Sequence, residues 1–126
     1  MTVASVLLLV ALGPTGQPSA AVPLRPLVVG WEQYFTIDWR AGVNGGRPVV
    51  YGRIYNHWGV AAANVRLLVE GLDDKGVIVS QTIGWLAMQS TPGTTAPFEV
   101  PVDGAVPSYK VSVFAFDWVQ RGRGVR

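Results

Sequence analysis

The sequence predicts an all-β protein: an immunoglobulin-like antiparallel β-sandwich of six to seven strands, preceded by a signal peptide. Three observations lead there. Short runs that alternate apolar and polar residues recur about every 8 to 12 residues, separated by turn residues. Beyond the first apolar run, no window holds capped helical periodicity over about ten residues. The chain has 126 residues, 49% hydrophobic and 14% charged, which suits one packed domain and is too apolar for a disordered chain.

At the N-terminus, "VASVLLLVALG" (3 to 13) has the length of a signal-peptide core and falls short of the roughly 20 residues that span a bilayer. Gly13 and Pro14 break it, and Ser19-Ala20-Ala21 supplies the small residues that signal peptidase reads. Residues 1–21 are therefore expected to be a signal peptide outside the fold, with cleavage after Ala21 and export to the periplasm or the extracellular space. No Lys or Arg precedes Arg25. An uncleaved anchor is thus the alternative, and the one route by which a membrane enters. Residues 22–30, "VPLRPLVVG", hold two prolines and read as an extended linker.

The sandwich is expected over residues 31–120. "YFTIDWR" (34 to 40) sets Phe35, Ile37 and Trp39 against Thr36, Asp38 and Arg40, a half-buried strand. "AGVNGGRP" (41 to 48) reads as a loop. "VVYGRIYN" (49 to 56) is a strand whose Gly52 marks a bulge or a neighbour too close for a side chain. Asn56 at its end suits bonding to the backbone of the following turn, and residues 57–63 connect onward. "NVRLLVEGLDDKGVIVSQT" (64 to 82) is a hairpin: Val65, Leu67 and Val69 alternate with Arg66, Leu68 and Glu70, and Asp73 and Gly76 carry the turn chemistry. The paired aspartates do not make a calcium loop, which takes about six oxygen ligands. Residues 83–97 finish one strand and cross at the Pro92-Gly93 turn. "FEVPV" (98 to 102) is short and β-like, 103–107 form a turn, and "SYKVSVFAFDWV" (108 to 119) is the longest strand candidate. The tail, 121–126, is basic and reads as flexible and solvated.

Gly52-x-Ile54-x-Asn56, Asn64-Val65-x-Leu67-x-Val69, Leu72-Asp73-x-x-Gly76, Pro92-Gly93 with Phe98 after it, and Tyr109-x-Val111-x-Val113 follow one another in a fixed order. In that order the chain, over about residues 48 to 116, resembles the FxLYD-type immunoglobulin-like domains of bacterial and archaeal envelope proteins. "VEGLD" (69 to 73) stands where the signature has F-x-L-Y-D. The resemblance implies an exported accessory or interaction module with no catalytic residues.

Most reaction classes lack their residues. There is no cysteine, so disulfides, thiolate metal sites and cysteine nucleophiles are excluded. His57 is the single histidine, too few for the common zinc sites, and reads as a packed loop residue. No serine stands in a nucleophile elbow and no glycine-rich loop leads a strand into a helix. Asp38 in "FTIDW" and Asp117 in "FAFDW" are the one carboxylate pair to consider, and strand-end solvation explains them as well. No cofactor and no metal are expected, and the protein is read as a non-enzyme. A net charge of +2 calls for no nucleic acid.

Binding is the remaining class. Val111, Val113 and Ala115 alternate with Phe114, Phe116 and Trp118, so the last strand is apolar on both faces. If the first set fills the sandwich, the three aromatics face outward unless the N-terminal segment or a loop covers them. Tyr51 and Tyr55 likewise alternate away from Gly52 and Ile54. Together Tyr51, Tyr55, Phe114, Phe116 and Trp118 are the candidate partner-binding residues. The expected partner is an envelope protein, docked on the aromatics or added to a sheet edge. The alternative is a polysaccharide stacked on exposed rings flanked by polar groups.

Overall fold

A computed structural model describes residues 23–119. The expected signal peptide (1–21) and basic tail (121–126) lie outside the described residues. Six strands follow a single turn of 3-10 helix at Trp31–Gln33: β1 (Phe35–Asn44), β2 (Arg47–Asn56), β3 (Ala62–Leu72), β4 (Ile78–Trp85), β5 (Thr95–Pro101) and β6 (Ser108–Trp118). They form two antiparallel sheets of three strands, ordered β1-β2-β5 and β4-β3-β6. Face to face, these make the small β-sandwich that the sequence predicts.

Alternation explains which side chains meet between the sheets. On β2, Val50 and Ile54 are fully buried, whereas Tyr51, Arg53 and Tyr55 stay exposed. Opposite them, Leu67 and Val69 on β3 and Val111 and Val113 on β6 close the same apolar cluster. Each such side chain taken from water contributes about 1.5–3 kcal/mol. Gly52, facing inward between Val50 and Ile54, permits a close approach. A Cβ there would lie 1.9 Å from the Asp38 carbonyl oxygen, so the β1–β2 pair has no room for one.

The expected loop at 41–48 is corrected. β1 and β2 stay paired from Phe35↔Asn56 through to Asn44↔Arg47. Gly45 and Gly46 alone make the turn, at φ 61° and 81°, as a two-residue hairpin loop with both central residues at positive φ requires. The density of turn residues there thus marks a tight turn between long strands. At the next hairpin, the Asp73 carboxylate accepts the Lys75 and Val77 N–H groups at 2.8 and 2.9 Å, and Gly76 takes φ 80°. After the turn, Val77 is exposed, as are Ile78 and Val79 at the start of the outer strand β4.

Two irregularities shape the β3–β6 ladder. Asn64 and Val65 together oppose Phe116, and Phe114 is an extra residue between Val113 and Ala115. Asn64 takes φ 53° in its bulge, a conformation asparagine tolerates better than most residues. Because each strand carries one inserted residue, the register after the bulges is the same as before them. The faces are not: Val113 and Trp118 both pack on the core although plain alternation would set them on opposite sides.

Residues 23–30 do not hang free as a linker. Gln81 on β4 holds the Leu24 backbone through a reciprocal amide pair, each bond 3.0 Å, and the Leu27 N–H donates to the Phe114 carbonyl at 2.8 Å. The segment therefore crosses the outer face of the β4-β3-β6 sheet from one edge to the other. Beneath that path, Leu68, Glu70 and Ser112 are buried on the side of the sheet away from the inter-sheet core.

Candidate functional site

The five candidate partner-binding aromatics divide between two surfaces. Phe116 and Trp118 are corrected as outward residues. The Phe114 insertion reverses the face of everything after it, and both rings pack on the core cluster. Phe116 meets Phe35 edge-on at 5.0 Å between centroids and Trp118 at 4.7 Å, while Tyr34 meets Trp118 at 5.2 Å. Phe114 is half-buried, its carbonyl taken by Leu27. These three do not form one exposed row.

Tyr51 and Tyr55 do stand outside, 42% and 38% exposed on the outer face of the β1-β2-β5 sheet. The strand period places them four residues apart on one face, about 13 Å along β2. Cross-strand register sets polar groups around them: Tyr51 faces Arg40 on β1 and Glu99 on β5, and Arg53 faces Asp38. Tyr51 lies over Gly42, where a Cβ would come within 2.9 Å of its ring. Tyr55 stacks on His57 at 6.1 Å and 24°.

Two open grooves meet at Tyr51 and Gly52. The first, about 370 Å³, is lined by Asp38, Trp39, Arg40, Tyr51, Gly52 and Arg53. The second, about 490 Å³, passes over β5 and takes in Pro97, Phe98 and Glu99, then Trp85 at the end of β4 and Ala87 in the loop after it. Trp85 is 62% exposed, and the Arg66 guanidinium sits 5.0 Å from its ring centroid. That contact holds a bare indole in place. Sequence reading missed Trp85, because within one strand nothing says that β4 ends beside β5. It also missed Arg40, Arg53 and Glu99, whose cross-strand positions were the available signal.

Charge in the grooves is unevenly matched. Asp38 and Arg53 form a loose ion pair at 4.0 Å with both side chains largely exposed. Glu99 accepts a 2.6 Å hydrogen bond from the Asn44 amide. Arg40 has no side-chain partner among the described residues.

Asn56 and Gly93 hold loops in place. Asn56 is fully buried: its amide NH₂ donates to the Val60 and Ser90 carbonyls, both 2.9 Å, and its Oδ1 accepts the Trp58 N–H at 2.8 Å. One side chain thus ties two loops together, an extension of the turn role expected of it. Gly93, at φ 75°, donates its N–H to the Asn56 carbonyl at 2.7 Å after Pro92. His57 donates its backbone N–H to the Tyr34 carbonyl at 3.0 Å. Asp38 and Asp117 lie in different sheets, and Asp117 accepts from the Asn64 amide at 3.0 Å. The grooves beside Tyr51 include Asp38 but not Asp117. Among the described residues no group of three His, Asp or Glu is placed to hold a metal, and no helix is long and apolar enough to cross a membrane.

Set against protein-family models, curated proteins and solved structures, the chain matches none of them.

Proposed function

We propose that this chain is an exported, non-catalytic accessory domain of the cell envelope that binds polysaccharide across the outer face of its β1-β2-β5 sheet. One observation carries the reading: Tyr51 and Trp85, both exposed, line one open groove together with Glu99, and the groove continues past Tyr51 to Arg40 and Arg53. An aromatic face beside hydrogen-bonding side chains suits a sugar ring, whose C–H face stacks while its hydroxyls bond at the edge. Two grooves joined end to end suit an extended chain better than a single small molecule. The apolar run at 3–13 and the ordered motifs that resemble FxLYD-type domains support export and an accessory role.

The test is affinity electrophoresis of the full chain through gels containing soluble polysaccharides. Retardation that is lost in Tyr51→Ala and in Trp85→Ala, with both variants unfolding at the wild-type denaturant midpoint, supports the reading. Equal mobility with and without every polysaccharide overturns it.

A second reading, docking of an envelope protein, draws on the β4 edge, where Ile78 and Val79 are exposed on a strand that pairs on one side alone among the described residues. A photo-crosslinker placed at Val79 and activated in intact cells tests it. A single crosslinked protein supports strand addition, and labelling no stronger than at a control position on the hairpin turn rejects it.

A further inference from the structure

Resting on the polysaccharide reading, we infer that the ligand is acidic and that a sugar carboxylate seats in the first groove, against Arg40. The groove brings two guanidinium groups, Arg40 and Arg53, to one carboxylate, Asp38. Asp38 is turned toward Arg53, at 4.0 Å, which leaves Arg40 as the cation with no side-chain partner among the described residues. Arg40 stands directly across the ladder from Tyr51. A ring stacked on Tyr51 therefore holds its substituents within reach of a guanidinium that presents paired N–H donors, the geometry that matches a carboxylate in two parallel hydrogen bonds.

The far end of the track differs. Along the second groove the ionisable lining side chain is Glu99, and the Trp85 ring at its end is covered on one side by the Arg66 guanidinium, 5.0 Å from the centroid. A carboxylate beside Glu99 meets like charge, so the acidic unit is directed to the Arg40 end and a neutral unit to the stretch beside Glu99. A uronic acid alternating with, or followed by, a neutral sugar has that pattern. Recognition of this kind depends on ionic strength, because the charges at the Arg40 end are exposed and screened by salt.

The experiment uses the full chain and three soluble polymers: polygalacturonate, neutral dextran and dextran sulfate. Wild type should prefer polygalacturonate to dextran. Arg40→Gln should lower that preference about tenfold, the size expected for one charge-assisted bidentate contact. Raising NaCl from about 0.05 to about 0.5 M should reduce the wild-type preference toward that of the variant. Equal affinity for polygalacturonate and dextran, with no effect of Arg40→Gln on their ratio, overturns the acidic-ligand inference and leaves polysaccharide binding standing. Dextran sulfate bound as tightly as polygalacturonate, and equally weakened by Arg40→Gln, overturns carboxylate recognition in favour of plain charge. Failure of all three polymers to bind, together with no retardation by any polysaccharide in the first test, removes the polysaccharide reading itself.

Discussion

The two sheets present opposite outer faces. On β1-β2-β5 the outer face is bare: Tyr51, Arg53 and Tyr55 meet water and surround two grooves. On β4-β3-β6 its middle is covered: Leu68, Glu70 and Ser112 are as buried as the core beside the path of residues 24–27, while Val79 and Trp85 on β4 stay exposed. The composition of each strand anticipates its fate. β2 alternates cleanly, with polar or aromatic residues on one side, while β3 and β6 are apolar on both. A sheet apolar on both faces must be covered on both, and here a segment without regular structure supplies the second cover. The comparison teaches that an outward-pointing aromatic is a binding candidate only where its whole face is uncovered.

Substitutions can break or sharpen that contrast. The largest effect belongs beneath the bare face. Gly52→Val forces a side chain into the Asp38 backbone and should cost about 3 kcal/mol, seen as a fall in the urea midpoint. Phe116→Ala, which empties the aromatic cluster around Phe35, should cost about 2 kcal/mol by the same measurement, a loss that an exposed ring would not produce.

Gln81→Ala removes both bonds to Leu24 and the 2.9 Å bond to Glu70, which leaves that buried carboxylate without its side-chain donor. It should cost about 1.5 kcal/mol. Amide exchange at Leu27 should quicken while Val50 and Val69 keep their protection; faster exchange at all three sites would mean that the cover and the sandwich unfold as one. Ser112 has a buried hydroxyl with no partner among the described residues, so Ser112→Ala should stabilise the chain by up to about 1 kcal/mol. Tyr51→Ala should change stability least, within about 0.5 kcal/mol, while abolishing polysaccharide retardation.

Much of the architecture was legible. Period-two alternation set Gly52 and Ile54 on one side of the strand and Tyr51 and Tyr55 on the other. Turn chemistry at Asp73–Gly76 and Pro92-Gly93 fell where expected, and Gly52 marked a close backbone approach. What escaped was set by partners across the ladder. Phe114 is an extra residue only in relation to β3, and Asn64 only in relation to β6, so neither run taken alone shows the bulge that turns Phe116 and Trp118 inward. Gly45-Gly46 looked like the middle of a loop because sequence marks where a chain reverses better than how soon pairing resumes. The site was half legible for the same reason. Tyr51 and Tyr55 belong to one strand, but the grooves depend on Arg40, Glu99 and Trp85, brought together by pairing order and by the packing of β4 beside β5.

The crossing segment also has a mechanical meaning. A pull on the chain ahead of Pro23 does not load the six strands directly. It reaches first the Leu24–Gln81 pair and then the Leu27–Phe114 bond, one after the other. Attachments broken in sequence yield at lower force than a ladder sheared all at once. Residues 23–30 can thus peel from the sheet in two steps while both sheets stay folded, with the grooves around Tyr51 on the opposite face.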